Sequence, residues 1–188
     1  MIGSRNFWVL LVVGSAGLVA GGCSESKSPL EPELAPTALL SVIPQGGSAD
    51  VDRFAPVVVE FGHTMMAGMQ EYAALHEGDI TGPAISGEWT LSTNRATLTF
   101  TPATPLAPRT RYTIHLGGGM MDVDGARIDF GTHGTRMGGV WATEGMMRSG
   151  MPGGGRMGGA MGGAHMGEGW QHPTNGTYGM VFTFTTGS

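Results

Sequence analysis

The chain has 188 residues, 34 of them glycine and 14 methionine, with a formal net charge of −5 and a single cysteine. A mildly acidic chain without basic clusters offers little to neutralise a phosphate backbone, which argues against nucleic acid as a partner. One cysteine excludes an internal disulfide and a thiolate metal cluster, and so glycine-rich a chain, with 13% charged residues, cannot all be compact core.

Residues 1–22 read as an export signal. Arg5 is followed by an apolar run from Phe7 to Ala20 and by small residues, Ala20-Gly21-Gly22, directly before Cys23. That run is shorter than the roughly 20 residues a membrane-crossing helix needs. The Ala-Gly-Gly-Cys junction resembles the lipobox of bacterial lipoproteins. The resemblance implies that the Cys23 thiol receives diacylglycerol, that cleavage makes Cys23 the first residue, and that its amine is then acylated. Each buried CH₂ contributes about 0.8 kcal/mol, so several acyl chains hold such a protein on a bilayer. The expected first partner is therefore the membrane, reached through the anchor at Cys23, and Ser24 after the cysteine implies the outer membrane. Removing 22 of 188 residues leaves 166, and losing Arg5 moves the net charge from −5 to −6. That length suits one domain and a tether.

Residues 23–36 are polar and interrupted by Pro29, Pro32 and Pro36, which reads as a semi-extended tether. From residue 37 onward, short apolar segments of period two appear between Gly, Pro, Asn and Asp, the pattern of strands. In Pro56–Phe61, Val57, Val59 and Phe61 share a face; in Arg95–Thr101, Leu98 and Phe100 point inward. In Arg109–Leu116, Tyr112, Ile114 and Leu116 alternate with Arg111, Thr113 and His115, and in Tyr178–Thr186, Met180, Phe182 and Phe184 alternate with Val181, Thr183 and Thr185. Further strands are expected at Leu39–Ile43 and Glu88–Leu91, and Met69–His76 fits either a strand or a helical turn. Six or seven such strands predict a two-sheet antiparallel sandwich, since each half-apolar sheet must bury one face. Tyr112, opening a strand after the corner Pro105-Leu106-Ala107-Pro108, fits a tyrosine corner.

Ser41-Val42-Ile43-Pro44, Val57-Val58-Val59-Glu60-Phe61, Ala96-Thr97-Leu98-Thr99-Phe100-Thr101-Pro102, Tyr112-Thr113-Ile114, Asp122 with Gly125, and the closing Phe182-Thr183-Phe184-Thr185-Thr186 occur in that order. Together they resemble the bacterial Ig-like domain of S-layer proteins, the SbsA Ig-like family. The resemblance implies an all-β, Ig-like antiparallel β-sandwich over residues 37–188. It further implies a structural or binding module at the cell envelope, with envelope proteins or polysaccharide as partners and no catalytic residues to carry over. In Asp122-Val123-Asp124-Gly125 the family's turn, with Asp122 as cap and Gly125 at positive φ, accounts for the residues better than a calcium loop, because a third oxygen ligand and a distal Glu are missing.

The departure from that pattern is a long Gly/Met/His-rich insertion, residues 130–177, before the last strand. Loops beyond about 12–15 residues are uncommon in compact domains. Met146, Met147, Met151, Met157, Met161, His165, Met166 and His172 lie in it, among residues nearly without side chains. Thioethers suit Cu(I) and imidazoles suit Cu(II), Zn and Ni, so these eight residues form the candidate metal set, with copper as the expected ion. Metal binding is the alternative here; the leading reading is a low-complexity loop whose methionines arose by drift in a Gly-rich expansion or serve as adhesive contacts or as an oxidant sink. His63, Met65, Met66 and Met69, with His115 or Met120-Met121, make a second candidate soft-metal group, against which Met65 or Met66 reads as core packing. Trp141 and Trp170 are expected to tether the insertion to the sandwich. No nucleophile elbow, paired-carboxylate scaffold or phosphate-cradling loop is present, so an enzyme is not expected.

Overall fold

The computed structural model describes residues 34–148 and 165–188. Nine strands lie among them: β1 Thr37–Ile43, β2 Val57–Phe61, β3 Ala73–Glu77, β4 Gly87–Leu91, β5 Thr97–Pro102, β6 Arg111–Leu116, β7 Ile128–Asp129, β8 Val140–Trp141 and β9 Met180–Thr185. They form a sandwich of a five-stranded sheet, β4-β5-β2-β1-β7, and a four-stranded sheet, β3-β6-β9-β8. All pairings are antiparallel except β1 with β7. The fold is the expected all-β sandwich. One short α-helix, α1, spans Glu144–Arg148, beside single turns of 3₁₀ or π helix at Met69–Tyr72, Phe130–Gly134 and Thr135–Met137, and among the described residues no helix is long and apolar enough to cross a membrane.

Period-two alternation builds the core. Val57, Val59, Phe61, Leu98 and Phe100 from the first sheet meet Leu75, Tyr112, Ile114, Leu116, Met180, Phe182 and Phe184 from the second, and all are essentially solvent-free. β1 carries an irregularity. Leu39 and Val42 are both fully buried although three residues apart, a spacing that would put them on opposite faces of a regular strand. A bulge between Leu39 and Ser41 absorbs the extra residue, leaving Leu40 in solvent and returning Val42 to the core. The region Met69–His76 takes both expected forms: a 3₁₀ turn over Met69–Tyr72, then strand β3.

Tyr112 stacks on its cross-strand partner Phe184, centroids 5.7 Å apart. Its hydroxyl accepts the Ala107 N–H at 2.8 Å, five residues upstream. Asp122 sits at the other end, fully buried, its Oδ1 accepting the Asp124 and Ala126 N–H groups and its Oδ2 bonded by Thr37 and by His63 Nδ1. Gly125 has φ +85°, the left-handed conformation the turn needs.

The insertion departs from the expectation of an excursion lying outside the sandwich. Phe130 is buried in the main core, Met137 and Trp141 pack against it, and β8 extends the second sheet beside β9. Beyond α1, residues 165–178 return across the outer face of the second sheet. That face carries Ala74, His76, Thr113, His115 and Val181, all buried, so His115 and Thr113 do not face solvent as alternation alone implies. Ile80, Ala142, Tyr178 and Val181, with Met166, form a second apolar cluster there. The physical reason is that the outer face is too apolar to leave in water, and the insertion supplies its cover.

Candidate metal centre

Three imidazoles converge beneath that cover. His76 comes from β3 and His115 from β6. In the β3–β6 ladder His76 stands opposite Thr113, and His115 is two residues further along the same face. Such diagonal neighbours lie within reach of long side chains. His165 arrives from the returning segment, its ring 5.0 Å from that of His76 and 5.3 Å from that of His115. One nitrogen from each of the three lies within 4.8 Å of the others. A metal about 2.0–2.1 Å from each nitrogen draws ligand atoms to within roughly 4.2 Å, so small side-chain shifts close the site.

The ring nitrogens are assigned by their partners. His76 Nδ1 donates to the Gly82 carbonyl at 3.0 Å and His115 Nε2 donates to the Tyr178 carbonyl at 2.7 Å. The opposite nitrogens, His76 Nε2 and His115 Nδ1, are buried without a hydrogen-bond partner. A buried polar atom without a partner is costly. Here each is a lone pair aimed by a backbone carbonyl behind its ring, the arrangement that orients metal-binding histidines.

Burial pushes the His115 pKa down to about 3, with His165 and His76 adding to the effect and the Tyr178 carbonyl opposing it. Burial likewise lowers His165 to about 4, helped by His76, and lowers His76 against the Gly82 hydrogen bond and the Asp79 carboxylate. All three are therefore neutral near pH 7, the form that binds a metal.

Trp170 roofs the site. It is buried, stacks on His165 at 4.1 Å and 19°, lies 4.6 Å from the His115 ring and meets Tyr72 edge-on. Backbone bonds Gly118 N–H to Trp170 O and Gly119 N–H to Gly169 O hold the roof to the loop after β6. A Cβ at position 119 would strike the Gly169 backbone, and one at position 169, where φ is +83°, would strike the Tyr72 ring. At position 179 a Cβ would collide with the Leu116 carbonyl, and φ there is +96°. Glycine thus brings Tyr178 and its carbonyl against His115.

Of the residues expected from the sequence to bind metal, His165 of the insertion and His115 of the second group join this centre. Met166 turns toward the second apolar cluster and a neighbouring cleft. His172 stands apart, its Nδ1 beside the Thr174 hydroxyl at 3.1 Å and its ring near Trp141. Met146 is exposed on α1. The Met147 side chain, Met151, Met157, Met161 and Cys23 lie outside the described residues. In the second expected group, Met65 and Met120 are fully buried in the core, and His63 is bonded to Asp122. The Asp122 carboxyl stays below its ordinary value: burial opposes ionisation, but bonds from Thr37, His63 and the Ala126 and Asp124 amides outweigh it. The sequence reading missed His76. Its only signal was a second histidine in a strand segment, meaningless until β3 pairs with β6.

Comparison with known proteins gives partial fold overlaps. The S-layer protein SbsC is 17% identical over 53% of this chain and 13% of its own, with a TM-score of 0.38. Mycobacterium tuberculosis L,D-transpeptidase 1 is 19% identical over 42% of this chain and 35% of its own, TM-score 0.34. PcoC, a methionine-rich copper resistance protein from Escherichia coli, is 19% identical over 50% of this chain and 91% of its own, TM-score 0.39. The chain thus spans about a third of the transpeptidase and about an eighth of SbsC. Among curated proteins none matches. A family model described as "Bacterial Ig-like domain" matches residues 33–133, which include His76 and His115 and stop short of His165. With more than half of its length matched in this way, the chain belongs to the bacterial Ig-like domain family.

Proposed function

We propose that this protein is a non-catalytic Ig-like module of the bacterial cell envelope that binds a transition-metal ion, copper before zinc, through His76, His115 and His165. The observation that carries this reading is the pair of buried lone pairs, His76 Nε2 and His115 Nδ1, left without hydrogen-bond partners beside a third imidazole. Three neutral nitrogen donors and no carboxylate among the grouped ligands suit copper or zinc. Membership of the Ig-like family supports the non-catalytic, envelope setting, and the strand motifs favour its S-layer, SbsA-type branch. The Cys23 junction supports a lipid anchor, with Ser24 favouring the outer membrane. Recognition of envelope proteins or polysaccharide remains compatible with the same scaffold, since the exposed face of the first sheet takes no part in the imidazole cluster.

The test is a titration of the full chain with Cu(II) and Zn(II) against a competing chelator, with electron paramagnetic resonance of the copper form. One equivalent bound, with hyperfine structure from three nitrogens, is the expected result. Binding that is unchanged in the double variant His76→Leu/His115→Leu would overturn it.

A further inference from the structure

The returning segment that covers the imidazole cluster also lines, from Met166 to Gly169, a cleft of about 730 Å³. Four methionines line it: Met66 after β2, Met69 in the 3₁₀ turn, Met121 in the loop after β6, and Met166 in the returning segment. Three of them are fixed to one another. The Met66 N–H donates to the Met121 carbonyl at 3.1 Å, and the Met121 N–H donates to the Met69 sulfur at 3.3 Å. Met69 is nearly buried while Met66 is 37% exposed, so the group has a fixed floor and an open side.

We infer that this cleft is a second metal site, built from thioethers, that takes a monovalent soft cation such as Cu(I) or Ag(I). Thioether sulfur is a soft, neutral donor that selects Cu(I) over harder ions. Thioethers, unlike imidazoles, bind divalent ions weakly and do little to offset their desolvation cost, which rises steeply with charge, so a monovalent soft ion fits best. The charged side chains on the lining, Arg127 and Glu168, balance to no net charge, which leaves nothing to hold a divalent ion in preference to a monovalent one. Leucine fills similar volume at Met66, Met121 and Met166, whereas Met69 also uses its sulfur to accept the Met121 N–H. The site uses residues and donor chemistry separate from the imidazole centre, and it stands if that centre binds nothing.

Ag(I), a redox-inert stand-in for Cu(I), provides the test on the full chain labelled with ¹³C at the methionine methyls. The expected result is that the Met66, Met69, Met121 and Met166 methyl resonances shift together and saturate at one equivalent. The triple variant Met66→Leu/Met69→Leu/Met121→Leu should lose that equivalent, weakening its Ag(I) affinity roughly tenfold or more, which is about 1.4 kcal/mol. It should retain the Cu(II) signal of the imidazoles. Shifts confined to methionines 146–161, or unchanged Ag(I) stoichiometry in the triple variant, would refute the inference. Should the triple variant fail to fold, the methyl shifts of the unaltered chain decide the matter alone. His76→Leu/His115→Leu separates the two sites: it should abolish Cu(II) binding and leave the four methyl shifts intact.

Discussion

Thr113 faces His76 across the β3–β6 ladder, and this pairing sets the His76 ring diagonal to His115 on the outer side of the second sheet. Neither histidine is near the other in sequence. Their meeting, and the carbonyls of Gly82 and Tyr178 behind them, turns two strand residues into aimed donors. The covering segment then adds His165 and excludes water with Trp170.

Replacing His115 by Leu should remove metal-dependent stabilisation. A ligand at one hundred times its dissociation constant stabilises the native state by about 2.7 kcal/mol. Thermal unfolding with and without Cu(II) or Zn(II) should show that increment in the unaltered chain and none in His115→Leu. An equal metal-induced shift in both would remove His115 from the site.

The metal-free protein should lose stability as pH falls from about 6.5 toward 4. In the unfolded chain the histidines take up protons near pH 6.5, whereas folded His115 resists protonation down to about 3 and folded His165 to about 4. Native His115 therefore binds fewer protons than unfolded His115 across this window, and stability rises with pH at up to about 1.4 kcal/mol per pH unit for that imidazole. Urea unfolding at several pH values measures the slope, and His115→Leu should flatten it. For the same reason metal binding should persist to about pH 5, where an exposed imidazole site is already protonated.

Trp170→Ala should uncover the outer face. Trp170 contacts His165, His115 and Tyr72, and truncating a buried tryptophan typically costs about 3–5 kcal/mol. Amide hydrogen exchange should accelerate at His115 and Val181 while the core positions Leu98 and Phe100 of the first sheet keep most of their protection. Uniform loss of protection in both sheets would show that the cover is integral to the whole fold. The stack of Trp170 on His165 also makes its fluorescence a reporter: Cu(II) should quench it in the unaltered chain and not in His76→Leu/His115→Leu.

Tyr112→Phe keeps the stack on Phe184 and removes only the hydroxyl that accepts the Ala107 N–H. Ala107 is exposed and can turn to water, so losing the bond should cost about 0.5–1.5 kcal/mol, the net worth of an ordinary intramolecular hydrogen bond. Chemical denaturation should show that loss with an unchanged slope against denaturant, and metal binding should be unaffected because the corner lies on the inner face of β6.

Local pattern determined much of this protein. Alternation of side chains assigned the inward faces of β2, β5, β6 and β9, the proline corner announced Tyr112, and Asp122 with Gly125 announced a turn, because each depends on residues only a few positions apart. Tertiary structure decided the rest. The bulge beside Leu40 follows from matching β1 to β2. The burial of His115 follows from what lies over it, since period two separates the faces of a strand without saying whether the second face meets water. The imidazole cluster needs strand register, a cover from 50 residues further along (His115 to His165), and carbonyls that fix two tautomers. Pairing and layering are long-range choices, made by the total apolar area buried, and no stretch of neighbouring residues encodes them alone.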